Sequence, residues 1–153
     1  MLQTIPIEKV LFLDIETVPQ VGNWQHLDEP TQNLWNKKTR LQRKDDFTAE
    51  EFYKERGGIM AEFGKIICIS VGIIEKSEKI IIKSFYGDDE KQLLEEFGEI
   101  FNRPKLRDVI LCAHNGKEFD FPWIARRFLI NGMHPPKPFQ KKKKKPWEIQ
   151  HLD

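Results

Sequence analysis

Apolar and polar positions change period several times along this chain. Residues 10–13, Val-Leu-Phe-Leu, are continuously apolar and run into Asp14-Ile15-Glu16-Thr17. That pattern predicts a buried strand reaching about Thr17. Residues 18–63 break the pattern. They are rich in Lys, Arg, Asp, Glu and Gln, with scattered Trp24, Leu34, Trp35, Phe47, Phe52 and Tyr53. Two short helices are expected there. One covers about 30–43; the other begins at Thr48, where Thr48 and Glu51 have capping-box spacing, and ends at Gly57-Gly58. Residues 65–74 and 78–86 are rich in Ile and predict strands, and the short link Glu75-Lys76-Ser77 makes them an antiparallel pair. Asp88 is placed to cap a helix over about 89–102, with Leu93, Leu94, Phe97, Ile100 and Phe101 on one face. A strand at 108–113 follows. A helix at 120–131 comes next, with Phe121, Ile124, Phe128 and Leu129 apolar and Gly132 as its stop. A fifth strand is expected near 148–153.

Strand–helix–strand order implies a parallel crossover, and the hairpin implies antiparallel neighbours, so a mixed α/β sheet fits. The 153 residues suffice for one domain with a core, carrying a charged helical insertion at about 20–60. Formal net charge is +1, so no global basic field advertises nucleic-acid binding. Charged residues make up 32%, yet Ile, Leu, Val and Phe are plentiful enough to exclude a disordered chain. Cys68 and Cys112 lie in apolar runs and read as small buried residues, not a disulfide. No apolar run reaches membrane-spanning length, and the N-terminus lacks a signal-peptide pattern. A cytoplasmic location is the expectation.

The candidate chemistry starts with Asp14 and Glu16. Strand side chains alternate, so the two acids share a face. Like charges raise each other's pKa unless a cation neutralises them, and hard oxygen donors suit a divalent metal. Solvated acids at a strand end are the rival reading. A hundred residues on, Asp108-Val-Ile-Leu-Cys-Ala runs into His114-Asn115-Gly116-Lys117-Glu118-Phe119-Asp120. Asp120 falls at a loop-to-helix junction, where an acid also complements the helix dipole. Asn115 also fits an ordinary turn before Gly116.

Together the two segments resemble the DEDD superfamily of 3′–5′ exonucleases. Asp14-Ile15-Glu16-Thr17 matches its Asp-x-Glu motif, and Asn115-Gly116-Lys117-Glu118-Phe119-Asp120 its Asn-x-x-x-(Phe/Tyr)-Asp motif. Apart from the insertion at about residues 20–60, the chain, including its close Pro146-Trp147-Glu148-Ile149-Gln150-His151-Leu152-Asp153, resembles stand-alone predicted exonucleases akin to the proofreading domain of family B DNA polymerases. The resemblance implies a ribonuclease H-like mixed five-stranded sheet of order 3-2-1-4-5, flanked by helices. Strands 1 and 4 would then be adjacent, and Asp14, Glu16 and Asp120 would converge as catalytic residues and ligands of two Mg²⁺ or Mn²⁺ ions. It also implies substrate contacts from Thr17, through its backbone N–H, and from Asn115 and Phe119, although core packing is an equal role for Phe119. The family's third motif has no counterpart. It sets Tyr or His four or five residues before a final Asp, whereas Ile149 and Glu148 hold those positions before Asp153. The expectation is a chain that stops after the fifth strand, short of the helices carrying the fourth carboxylate.

The function so implied is metal-dependent 3′–5′ exonuclease activity on single-stranded DNA, with single-stranded nucleic acid as partner and no membrane. Trimming of RNA is an alternative within the class. A catalytically inactive nucleic-acid-binding module is another, since the fourth carboxylate is absent; a structural domain with solvated acids is a third. Basic residues divide the same way. Lys141–Lys145, with Lys137 before them, follow Pro135, Pro136 and Pro138 and read as a solvated loop or a phosphate-tracking patch. Lys37, Lys38, Arg40, Arg43 and Lys44 could grip a single strand, with Trp35 anchoring the insertion to the core.

Overall fold

Burial alternates along the first strand, β1 (Val10–Pro19): Leu13 and Ile15 are buried while Asp14 and Glu16 are exposed. The computed structural model describes residues 5–44, 46–76, 79–140 and 151–153. Among these, β1, β2 (Gly64–Ile74), β3 (Ile80–Tyr86) and β4 (Ile110–Cys112) form one sheet of order β3-β2-β1-β4. β2 and β3 are antiparallel, in register from Cys68↔Tyr86 to Ile74↔Ile80. β4 runs parallel to β1, from Val10↔Ile110 to Phe12↔Cys112. β4 is shorter than the expected 108–113. Where a fifth strand was expected there is a single parallel bridge, Cys112↔Leu152, on the far side of β4; residues 148–150 of that strand lie outside the described residues.

The chain divides into two compact units, Met1–Glu16 with Ile67–Asp153, and Thr17–Ile66. In the first, α3 (Glu90–Glu99) and α4 (Asp120–Ile130) join the sheet's core. α3 is capped by Asp89, not Asp88: the Asp89 carboxylate accepts the Gln92 N–H at 3.1 Å. Adjacent acids offer the same chemistry, and only the chain's entry path decides which one turns back onto the helix. Phe97 is fully buried among Phe85, Phe101 and Phe139, with centroids 5.7, 5.3 and 5.8 Å away. On α4, Phe121, Trp123, Ile124 and Phe128 are buried, whereas Leu129 is exposed. At 100° per residue Leu129 is turned well away from the stripe those residues define. Gly132, at φ 75°, ends the helix as expected, and the Met133 N–H returns to the Phe128 carbonyl at 2.8 Å. The Glu90 carboxylate and Arg127 guanidinium form a buried bidentate pair at 2.9 and 2.5 Å.

The second unit holds α1 (Glu29–Arg43) and α2 (Ala49–Arg56). Thr48 and Glu51 close the expected capping box. Trp35 is the centre of an aromatic cluster in this unit, with Phe52, Tyr53 and Phe63 at 5.9, 5.1 and 4.9 Å and its indole N–H on the Ala49 carbonyl. Such a cluster gives a charged segment a core of its own.

Candidate active site

The pairing of β4 with β1 stops at Phe12↔Cys112, and the chain leaves the sheet while β1 runs on. Residues 113–119 then form tight turns. The Asn115 carbonyl accepts the N–H groups of Glu118 (3.3 Å) and Phe119 (3.0 Å), and the Gly116 carbonyl accepts that of Phe121 (2.9 Å). Asn115 itself has φ 53°, a left-handed conformation that Asn tolerates and most residues avoid. Gly116 is required for space. A Cβ there would lie 2.6 Å from Ala113 Cβ and 2.7 Å from Phe121 Cζ.

These turns deliver Asp120 to the start of α4, where it is 3% exposed. The backbone N–H groups of Ile15, between Asp14 and Glu16, and of Asp120 itself favour the charged form of this carboxyl. Burial pushes its pKa above the usual carboxylate value, and the charges of Asp14 and Asp153 push the same way; the two N–H groups offset this only in part. Asp14 and Glu16 are exposed on one face of β1. The fold therefore brings Asp120 into the electrostatic field of Asp14 from the other end of the sequence.

The acids whose charges act on Asp120 are Asp14 and Asp153, and Glu16 is not among them. Asp14, Glu16 and Asp120 offer the hard oxygen donors of a divalent ion by type. They are not a closed cage: among the described residues no three His, Cys, Asp or Glu side chains stand close enough together to hold a metal.

The remaining predicted residues are placed as follows. Asn115 is exposed, and Phe119 is half-buried with its ring 5.9 Å from that of Trp123. The Thr17 hydroxyl donates to the Gly58 carbonyl at 2.6 Å, so its side chain is engaged within the insertion. Of the basic residues, Arg43 is buried on Thr39, Asn36 and Phe47, and Lys38 pairs with Glu62 at 2.7 Å; both serve the insertion's own structure. Lys137 is paired with Asp108, and Lys141–Lys145 lie outside the described residues. Among the described residues no helix is long and apolar enough to cross a membrane.

Sequence reasoning missed one residue. Asp153 accepts the Gly116 N–H at 2.8 Å, and its charge, after burial, helps raise the Cys112 thiol pKa. Beside it, the Leu152 N–H donates to the Leu111 carbonyl at 2.8 Å, and the Leu111 N–H donates to His151 Nδ1 at 3.2 Å. Since Nδ1 must accept, the ring hydrogen sits on Nε2, which faces the Pro138 carbonyl at 2.9 Å. An acid directly after a strand residue was the only available signal, and it is a weak one.

The sequence model of the RNase_H superfamily matches residues 52–153. No curated protein matches the chain. Three solved structures align over 94% of it. E. coli Exonuclease I in complex with a dT13 oligonucleotide does so at 12% identity, over 27% of that chain, with a TM-score of 0.50. The ExoI/SSB-Ct complex gives 12%, 27% and 0.51. The family B DNA polymerase from the hyperthermophilic archaeon Pyrobaculum calidifontis gives 14%, 12% and 0.45. The likeness to the Exonuclease I structures is one of fold, and this chain spans 27% of their length.

Proposed function

We propose that this chain, which belongs to the RNase_H superfamily, is a metal-dependent 3′–5′ exonuclease acting on single-stranded DNA. The observation that carries the reading is Asp120, buried at the start of α4 within the field of Asp14. A folded domain gains nothing in stability by bringing a desolvated acid up to another acid, so the arrangement is better explained by a cationic ligand. Asp14, Glu16 and Asp120 would hold two Mg²⁺ or Mn²⁺ ions, which when bound supply charge stabilisation to the scissile phosphate.

The chain's own residues supply position. β1 holds Asp14 and Glu16 on one face, with Glu16 104 residues in sequence from Asp120 at the start of α4. Exposed Asn115 and half-buried Phe119 sit on the turn just before Asp120, where they would meet the terminal nucleotide, the ring against a base or sugar. Thr17 follows Glu16 in β1 and would meet the 3′ end through its backbone N–H. A single-stranded substrate is further supported by the dT13 oligonucleotide in the Exonuclease I complex.

A second reading, a nucleic-acid-binding module without turnover, is favoured by one observation: no three metal-ligating side chains are grouped among the described residues. Nucleotide release from 5′-labelled single-stranded DNA and RNA with Mn²⁺ separates the readings. The exonuclease gives a stepwise ladder that Asp14→Ala abolishes. Binding of the oligonucleotide without a ladder would favour the module, and a ladder on RNA alone would favour RNA trimming.

A further inference from the structure

The Asn115–Asp120 turn is held at both ends. At one, Asp120 is buried as the first residue of α4. At the other, Asp153 accepts the Gly116 N–H at 2.8 Å. Gly116 is the pivot. Its N–H also points to the Ala113 carbonyl, at a longer 3.3 Å, and its carbonyl takes the Phe121 N–H in the first turn of α4. No side chain fits at Gly116, so its position is set by its backbone partners and by the Ala113 and Phe121 walls. Asp153 is itself seated, because Leu152 and His151 take both backbone groups of Leu111 in β4.

We infer that Asp153 is a positioning residue: by accepting the Gly116 N–H it fixes the turn that sets Asp120 at the start of α4. The inference rests on reading Asp120 as part of the site. What the turn uses is an acceptor oxygen 2.8 Å from the Gly116 nitrogen. Asparagine keeps the acceptor oxygen and loses the charge; glutamate keeps the charge and moves the acceptor by one methylene.

The test is amide hydrogen exchange, followed by NMR at Gly116 and Phe121 without metal, in the wild-type chain, Asp153→Asn and Asp153→Ala. Phe121 reports on the start of α4, because its N–H is held by the Gly116 carbonyl. Asp153→Ala is expected to speed exchange at both amides by about tenfold or more, and Asp153→Asn to stay near wild type. Faster exchange at Gly116 with Phe121 unchanged would mean a local role only and would overturn the inference. So would Asp153→Asn behaving like Asp153→Ala. If Asp153→Ala does not fold, Asp153→Glu takes its place and should exchange as fast as the alanine variant was expected to; wild-type behaviour from the glutamate would show that charge is what matters. Mn²⁺ binding on the same samples separates the two ideas. Absent Mn²⁺ binding with the expected exchange pattern sinks the nuclease reading and leaves the positioning role standing.

Discussion

The carboxylate of Asp153 accepts the backbone N–H of Gly116 at 2.8 Å. This one hydrogen bond joins the residue after the Cys112↔Leu152 bridge to the turn that leads into α4, and it brings the charge of Asp153 towards Asp120.

That bond comes at an electrostatic cost. Asp120 has its pKa raised in the folded protein, first by burial and then by Asp14 and Asp153. A raised carboxylate pKa means the folded state holds the proton longer than the unfolded chain, so stability falls as pH rises from about 4 through the folded value. Asp120→Asn keeps the acceptor and removes the charge. It is expected to raise the neutral-pH melting temperature by a few degrees, with the gain fading towards pH 4. Thermal melts at pH 7 and pH 4 check this. Mn²⁺ should stabilise the wild type at pH 7 more than the variant.

Gly116→Ala should destabilise the protein by about 1–3 kcal/mol, the usual cost of forcing a methyl into a packed site. Ala113 and the buried Phe121 ring both stand in its way. Urea unfolding measures the change, and an unchanged midpoint would show that the turn relaxes freely.

The Glu90–Arg127 pair lies inside the protein, and Asn131 adds a bond to Glu90 at 2.9 Å. Removing one partner strands a buried charge, so Glu90→Leu alone should cost about 3–5 kcal/mol. Glu90→Leu with Arg127→Leu should cost clearly less than Glu90→Leu alone. A double-mutant cycle in denaturant reads the difference.

Trp35→Ala empties the centre of the insertion's cluster, where Trp35 is fully buried. The expected loss is about 3–5 kcal/mol. Hydrogen exchange should rise most across Thr17–Ile66, and a uniform rise along the whole chain would argue against a separate core there.

Local patterns were legible in the sequence. The β1 alternation, the Thr48–Glu51 capping box, the β2–β3 hairpin and the stop at Gly132 each depend on residues a few positions apart. Their physics is steric and short-ranged, so one stretch of chain suffices to read them. The paired acidic motifs also placed strand 1 beside strand 4, as the sheet order bears out.

Other features were decided only by the tertiary structure. Leu129 and Arg43 exchange the roles their residue types suggest, because burial depends on which neighbours a helix meets. Trp35 belongs to the insertion's own core because Phe52, Tyr53 and Phe63 surround it there. The Asp153–Gly116 bond and the charge coupling of Asp120 to Asp14 join residues far apart in the chain. The sequence determined which side chains could carry charge to a site and which backbone periods would present them. The tertiary structure decided which of them meet, because hydrogen bonds and charge coupling depend on distance in space, and distance between remote segments is set by the packing of the whole sheet.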